Sequence, residues 1–321
     1  MEIKNVHDKF FKESFSRIDV ATNFLEEFLP ADFIQKLELS SLTIDNNSFV
    51  DENLKERFAD IVYTCHYGEA GKVKLAFLYE HKSYKEDYPH WQLNQYMINV
   101  WQSGVKQNKE KPLVVIPIVI YHGKGKWDYQ PMRSYFDNLD ENLLKFIPEF
   151  EYYLIDLGKV PDQQIINFKN KFLSISALLF KYNRYKKYVK RIENELINLF
   201  KLIDNQENNP FSVAVILYIQ STDGLTITEI VSIFTKVSVN LNKIVMTTAQ
   251  QLINQGINQG INQGINQGIS QGINQGMEIK AIMTIKKGLQ LGLNTETIAI
   301  LVDESVPKVE ETIYKIKAGL L

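Results

Sequence analysis

The segment Val73-Lys74-Leu75-Ala76-Phe77-Leu78-Tyr79-Glu80-His81-Lys82 carries apolar bulk on both phases of a two-residue alternation, which restricts the folds open to this chain more than any other stretch. Side chains along a strand point to opposite faces in turn, so Val73, Leu75, Phe77 and Tyr79 line one face and Ala76 and Leu78 the other. Bulk on both faces is the pattern of a central strand covered by a layer on each side. Arg57-Phe58-Ala59-Asp60-Ile61-Val62-Tyr63 reads as a second strand, and Tyr67-Gly68-Glu69-Ala70-Gly71 as the loop of a hairpin joining the two. A turn centred on Ala70 sets Asp60 opposite Glu80. A slip of one residue would send Asp60 to the other face, and the turn type that fixes the register is not readable.

Glu80 and Lys82, two apart, share a face, while His81 points the other way. Two acids at the rim of a covered strand are costly to bury unpaired, and a divalent cation together with a lysine is one way to balance them. Mg²⁺ (or Mn²⁺) takes oxygen ligands and is usually held by one or two carboxylates plus substrate phosphate, which makes Asp60 and Glu80 candidate metal ligands. Lys82 is then a candidate to orient a water or share the anionic charge. Asp-x19-Glu-x-Lys is a short pattern of common residues, and the same side chains also read as rim residues in ordinary surface pairs.

Around this hairpin, residues 7 to 29 form an amphipathic helix closed by Pro30, with Phe10, Phe11, Phe15, Val20, Phe24, Leu25 and Phe28 on its apolar side. Glu13 on that helix is an accessory carboxylate candidate or a solvent-facing glutamate. Tyr88 to Val105 reads as a helix on which Gln92 and Gln95 could reach phosphate or a water, or lie on a solvated face. Leu113 to Tyr121 reads as a strand whose Pro117 lacks a ladder donor and so argues for an edge or a bulge. Residues 150 to 157 are a further strand candidate. His7, His81 and His122 read as structural histidines.

In Lys181-Tyr182-Asn183-Arg184-Tyr185-Lys186-Lys187-Tyr188-Val189-Lys190-Arg191, six of eleven residues are basic and three are tyrosines. Arg184, Lys186, Lys187, Lys190 and Arg191 could track a phosphate backbone, although tyrosines three apart also read as a packed stripe. Lys124 and Lys126, in a Gly-containing loop, are a second candidate for DNA contact. The formal net charge of −2 is a mild point against a nucleic-acid partner, because lysine and arginine contacts to phosphate supply much of DNA affinity. Cys65 is the only cysteine, so neither an internal disulfide nor a cysteine zinc site can form. No signal-peptide core and no apolar run near the ~18 residues of a membrane span is present, which points to a cytoplasmic protein with no membrane partner.

From about residue 164 the pattern turns helical, over 164 to 181, 185 to 203, 210 to 221 and 227 to 250. Ile-Asn-Gln-Gly then repeats six times from Ile253 to Gly276, with Ser270 replacing one asparagine. At about 100° per residue, each unit advances the isoleucines about 40° around a helix. Glycines at every fourth position would let a second copy approach closely, and the tract also reads as a low-complexity linker. Met277 to about Leu291, Asn294 to Asp303 and the stretch after Pro307 read as three helices of a small module. Lys308, Lys315 and Lys317 are its only basic residues after Lys287, which favours a homo-oligomer role over reading DNA.

Four blocks occur in order: His7-Asp8-Lys9-Phe10-Phe11-Lys12-Glu13-Ser14-Phe15, Phe49-Val50-Asp51-Glu52 leading to Arg57-Phe58-Ala59-Asp60, Glu80-His81-Lys82-Ser83, and Ile116-Pro117-Ile118-Val119-Ile120-Tyr121-His122-Gly123. Together they closely resemble the Rpn family of recombination-promoting nucleases, also described as transposases, within the PD-(D/E)XK nuclease superfamily. The resemblance covers about the first 160 residues. It implies an α/β restriction-endonuclease-like core of helix, three antiparallel strands, helix and strand, and Mg²⁺-dependent cleavage of DNA in recombination or transposition. The superfamily's metal-binding aspartate falls on Asp60, and its Glu-x-Lys on Glu80 and Lys82. Ala59 stands where the superfamily's name would have proline, which is not needed to bind metal. The expected organisation is a nuclease core over 1–160, a helical extension over 161–252, the repeat over 253–276 and a helical module over 277–321. The alternative is a catalytically inactive DNA-binding or assembly protein on the same fold, with phage defence as one role open to it.

Overall fold

The computed structural model describes residues 6–45, 58–80, 87–108, 111–123, 125–203 and 210–321, which fall into two compact units, Met1–Ala249 and Gln250–Leu321. The first unit is built on a mixed five-stranded sheet in the order β1 (Leu37–Asp45), β2 (Phe58–Tyr67), β3 (Lys72–Glu80), β4 (Val115–Tyr121) and β5 (Tyr153–Asp156). The first three strands form an antiparallel meander, and β4 and β5 add parallel to β3. β3 is therefore the middle strand, as its two-sided bulk requires.

One phase of the alternation, with Ile61, Tyr63, Leu75, Phe77 and Tyr79, is buried in the larger core beneath α1 (Val6–Phe15) and α2 (Ile18–Phe28). The other phase, with Val62, Ala76, Leu78 and Val119, packs on Leu93, Tyr96, Met97 and Val100 of α4 (Pro89–Asn108). A short helix, α3 (Ala31–Ile34), leads into β1.

Where one helix was expected over residues 7 to 29 there are two, parted at Ser16 and at Arg17, whose backbone is extended (φ −84°, ψ 115°). On an unbroken helix, the buried set of Val20, Ala21, Phe24 and Leu25 would be rotated roughly 100° from that of Phe10, Phe11 and Phe15. The break lets both sets face the sheet.

Pro117 occupies an interior strand, not the expected edge or bulge. The carbonyl of Val114 accepts from the Lys74 N–H, so by alternation Pro117 turns its donorless nitrogen away from β3. On that side pairing with β5 begins only at Ile118, so no ladder bond is lost.

After the sheet come α5 (Asp162–Ile166), α6 (Lys171–Tyr182), α7 (Glu193–Ile203), α8 (Pro210–Thr222) and α9 (Ile227–Phe234). The expected helices over 164 to 181 and 185 to 203 are each shorter, because residues 167 to 170 form a connection and Tyr188–Arg191 a single 3-10 turn. Phe172, Phe180, Leu196, Phe211 and Tyr218 from these helices share the core that holds Phe77 and Tyr79. The change from sheet to helix near residue 160 is thus a change of element type within one packed unit.

Helix α10 (Val239–Gln290) includes the repeat, and α11 (Thr295–Val302) and α12 (Val306–Lys317) follow it. Asn294 caps α11 by accepting the Thr297 N–H, and Pro307 lies in the first turn of α12. Ile285, Ile298, Ala299 and Val309 form the small core of the second unit. A β-carbon on Gly288 would meet Ile298 Cγ1 at 2.9 Å, so this position needs glycine. Among the described residues no helix is long and apolar enough to cross a membrane.

Phe180→Ala tests whether the helices and the sheet are one cooperative unit. Truncating this buried ring should cost about 3–5 kcal/mol and shift a single unfolding transition reported both by helix content and by core tryptophan fluorescence. Separate transitions for helix and sheet would contradict the shared core.

Candidate functional site

Asp60 is the third residue of β2, and its backbone pairs with Leu78, not with Glu80; Phe58 pairs with Glu80. The hairpin turns through Gly68–Ala70, with Gly68 (φ 47°) and Gly71 (φ 79°) in backbone conformations that favour glycine, so its centre falls one residue earlier than expected. The register consequently differs by two residues, and two is a full period of the alternation. Asp60, Leu78 and position 80 keep one phase, the one that faces α4. Lys82 and His81 lie outside the described residues.

The Asp60 side chain is 7% exposed, and Tyr96 of α4 donates its hydroxyl to Oδ2 at 3.1 Å. Burial, and next the Asp60 charge, push the Tyr96 hydroxyl well above its ordinary pKa, which keeps it a donor. Gln92 precedes Tyr96 by one helical turn on the same face, half-buried, with Oε1 shielded from solvent and without a hydrogen-bond partner among the described residues. Gln95 is exposed and bonds Asn99 at 3.1 Å. Glu13 is also exposed, on α1, and α1 packs against the sheet face opposite Asp60. The structure therefore brings together Asp60, the Glu80 position and the α4 face that carries Gln92, and leaves Glu13 apart.

Carboxylate oxygens with neutral hydroxyl and amide groups, and no thiol, are the donors a hard cation such as Mg²⁺ or Mn²⁺ takes. Among the described residues no three His, Cys, Asp or Glu side chains cluster closely enough to hold an ion. A site here would be completed by Glu80 and by substrate or water oxygens.

Further polar groups on this face escape a reading of the sequence. Asp45 pairs with Val62 and so shares the phase of Asp60; its Oδ2 lies 2.5 Å from Lys74 Nζ, and both side chains are nearly enclosed. Thr43, Thr64, Lys72, Lys74, Trp101 and Lys111 line a cavity of about 250 Å³ beside them. The only sequence signals are the i, i+4 spacing of Gln92 and Tyr96 and the two-residue spacing of Lys72 and Lys74.

Four cations of the basic run of residues 181 to 191, Lys186, Lys187, Lys190 and Arg191, are exposed, and several members of the run have partners. Lys181 donates to the Val160 carbonyl and to Asp162 (2.6 Å), and Arg184 to the Gly123 carbonyl. Arg184 and Arg191 lie over the Tyr185 ring, at 5.1 and 4.8 Å from its centroid, and Lys190 pairs with Glu229 at 3.1 Å. Lys186 and Lys187 are exposed. Lys126 is exposed and pairs with Asp128 at 3.1 Å, and Lys124 lies outside the described residues.

On the opposite face of the sheet, blocks far apart in sequence meet at the end of β3. The ring of Tyr79, fully buried, stacks on His122 (5.0 Å between centroids, 4° between planes) and its hydroxyl accepts from Asn183 Nδ2 at 3.4 Å. His7 Nδ1 lies 3.0 Å from the Tyr218 hydroxyl, which also accepts from Asn183. Burial lowers the pKa of His7 and raises that of Tyr79. The structural role expected of His7 and His122 is thus given partners, and these fasten the strand end that carries Glu80 from behind.

The family described as "putative transposase, YhgA-like" matches residues 5–211. Recombination-promoting nuclease RpnD of Escherichia coli O157:H7 is 28% identical over 251 residues, covering 77% of this chain and 94% of that protein. Recombination-promoting nuclease RpnC of Escherichia coli K12 is 25% identical over 195 residues, 60% of this chain and 63% of that protein. The inactive recombination-promoting nuclease-like protein RpnE of the same strain is 24% identical over 179 residues, 56% of this chain and 58% of that protein. No solved structure matches the chain.

Burial lowers the pKa of His7, and likewise that of His90, so the unfolded chain binds protons more readily than the folded one. Their neutral forms contribute stability in full above the ordinary histidine pKa of about 6.5, and it is lost as pH falls below that value toward the lowered one. Denaturation midpoints should therefore drop from pH 7.5 to pH 5, and His7→Gln should flatten part of that slope. An unchanged slope would remove His7 from the account.

Proposed function

The chain belongs to the YhgA-like putative transposase family, and on that premise we propose that it is a metal-dependent DNA endonuclease of the PD-(D/E)XK kind, hydrolysing phosphodiester bonds in recombination or mobile-element movement. The observation that carries this reading is the shared phase of Asp60 and position 80 at the open end of the β2–β3 hairpin, facing α4. Sheet order and strand directions are compatible with the implied core of a helix, three antiparallel strands, a helix and a parallel strand.

In this proposal Asp60 and Glu80 hold Mg²⁺ or Mn²⁺, which would supply Lewis acidity to a phosphate oxygen and to water. Tyr96 donates to one oxygen of Asp60 and so orients this carboxylate. Gln92, whose acceptor has no partner among the described residues, is placed to orient a water. Lys82 shares the charge that builds on the phosphate. DNA contact is assigned first to Lys72 and Lys111, which lie on the α4 side of the sheet with Asp60. Lys186, Lys187, Lys190 and Arg191 remain candidates as exposed cations, and Arg184, half-buried, also donates to the Gly123 carbonyl. A relative described as inactive keeps a second reading in play, in which the fold binds DNA or assembles without cutting.

Purified full-length protein should cut plasmid DNA with Mg²⁺ and stop when the metal is chelated. Asp60→Ala and Lys82→Ala should each lose on the order of a hundredfold in rate, and Tyr96→Phe about tenfold, with the Tyr96→Phe loss partly restored by raising Mg²⁺. Equal cleavage by wild type and all three variants would remove the assigned site, and no cleavage by wild type with intact DNA binding would favour the inactive reading. Lys72→Gln with Lys111→Gln should weaken DNA binding and lower the salt dependence by about one unit of log–log slope for each phosphate left without its lysine.

A further inference from the structure

Helix α4 lies along the whole of the site face. β3 and β4 are parallel and α4 connects them, so the helix runs opposite to both strands. Tyr96 accordingly lies at Asp60, whose backbone partner is Leu78, and Trp101 and Gly104 lie at the lysine-lined cavity beside Lys72 and Lys74, at the other end of β3. The first turn of α4 therefore projects past Leu78 toward the strand end that carries Glu80.

That first turn presents two large rings to solvent. Trp91 is 53% exposed and Tyr88 43%, and they stack on one another at 4.3 Å between centroids and 8° between planes. The pair is braced: the ring of Tyr135 stands edge-on to Tyr88 (5.1 Å, 90°), and the Tyr135 hydroxyl lies 2.7 Å from Nδ1 of the buried His90. Tyr88 comes four residues before Gln92, and Trp91 immediately before it. Two rings held parallel and half in water leave a large apolar area uncovered beside a site built of carboxylate, amide and lysine groups.

A nucleobase suits both properties. Its flat face covers an aromatic ring whatever the base, while its own strand carries phosphates to the cations. In a duplex each base already has both faces covered by its neighbours, so a ring on the protein surface takes only a base that is unpaired or drawn out of the stack. The cations are on the same face. Around the cavity at Trp101, Lys72, Lys74 and Lys111 are among the lining residues with one carboxylate, Asp45. From Trp91 to Trp101 the helix rises about 15 Å, a few nucleotides of one strand. Aromatic rings at one end and lysines at the other are the parts of a track for single-stranded nucleic acid. The arrangement also fits the net charge of −2, which disfavours a partner held by phosphate contacts alone.

We propose that the DNA bound at this site is single-stranded where it meets the protein, with one unpaired base stacked on the Trp91–Tyr88 pair and the strand's phosphates led along α4 to Lys72 and Lys111. The inference rests on DNA as the ligand of the proposed function and not on its hydrolysis.

Fluorescence anisotropy of labelled oligonucleotides with the full-length protein, divalent metal chelated throughout, tests it. A short single strand should bind at least about tenfold tighter than the duplex of the same sequence. Trp91→Leu keeps apolar bulk but removes the planar face, and should weaken strand binding roughly five- to hundredfold, with Trp91→Phe in between. The slope of log affinity against log salt should stay as in wild type for Trp91→Leu, because a ring releases no counterions, whereas Lys72→Gln with Lys111→Gln should lower it. Duplex bound as tightly as the single strand, Trp91→Leu indistinguishable from wild type, or a leucine variant whose loss falls equally on both forms would overturn the proposal. No binding of either form would overturn it too and leave the rings to a protein partner. Wild type that binds in the expected pattern yet fails to cut with Mg²⁺ would sink the endonuclease reading alone. Wild type that cuts with Mg²⁺ while preferring duplex would sink only this one.

Discussion

The burial of both faces of β3 is the constraint on which the first unit depends. Phe77 and Tyr79 commit one phase to the aromatic core beneath α1 and α2, and Ala76 and Leu78 commit the other to α4. Once both phases are fixed, every residue paired to β3 inherits its face. Asp60 is directed toward Tyr96 because its partner Leu78 is packed there. Lys74 is directed toward Asp45 for the same reason, and a charged pair in such an enclosed place persists because each group satisfies the other. A one-residue slip would place a carboxylate among the phenylalanines, so the hydrophobic pattern protects the register more strongly than the turn does.

The same constraint decides which parts of the fold are legible in the sequence. The two strands, the helix beginning near Pro89 and the caps at Asn294 and Pro307 rest on periodicity and local chemistry, and both are written in consecutive residues. The hairpin centre is displaced by one residue from its expected place, because two glycines flanking Glu69 and Ala70 admit several turns, but the resulting two-residue shift preserves the face of Asp60. Pro117 departs from expectation because a proline in a parallel strand is harmful only on the side where its nitrogen would donate, and that side is set by β5, which lies far along the chain. The division of residues 7 to 29 into two helices follows from the direction of the sheet, which neither helix encodes alone.

The candidate site is legible only in its acids. Tyr96, Asp45 and Lys74 join it through pairing and packing between elements, and nothing in their immediate sequence marks them. The basic run after Lys181 shows the converse: a composition suited to phosphate is used partly for carbonyl, carboxylate and tyrosine contacts around the end of β4. Lys181 and Arg184 tie neighbouring elements together, while Lys186, Lys187, Lys190 and Arg191 still present their charge at the surface.

Tyr79 and Glu80 are consecutive residues, so the peptide that joins them belongs at once to the stacked ring of His122 and to the opposite face. The position of the acid's backbone is consequently settled when the protein folds. Any group that binds there meets a pre-organised attachment point, and the entropy of ordering that strand end has already been given up to the core before the encounter. Loosening the rings on one side of the sheet would therefore show itself as weaker binding on the other, with every group that touches the bound species left in place.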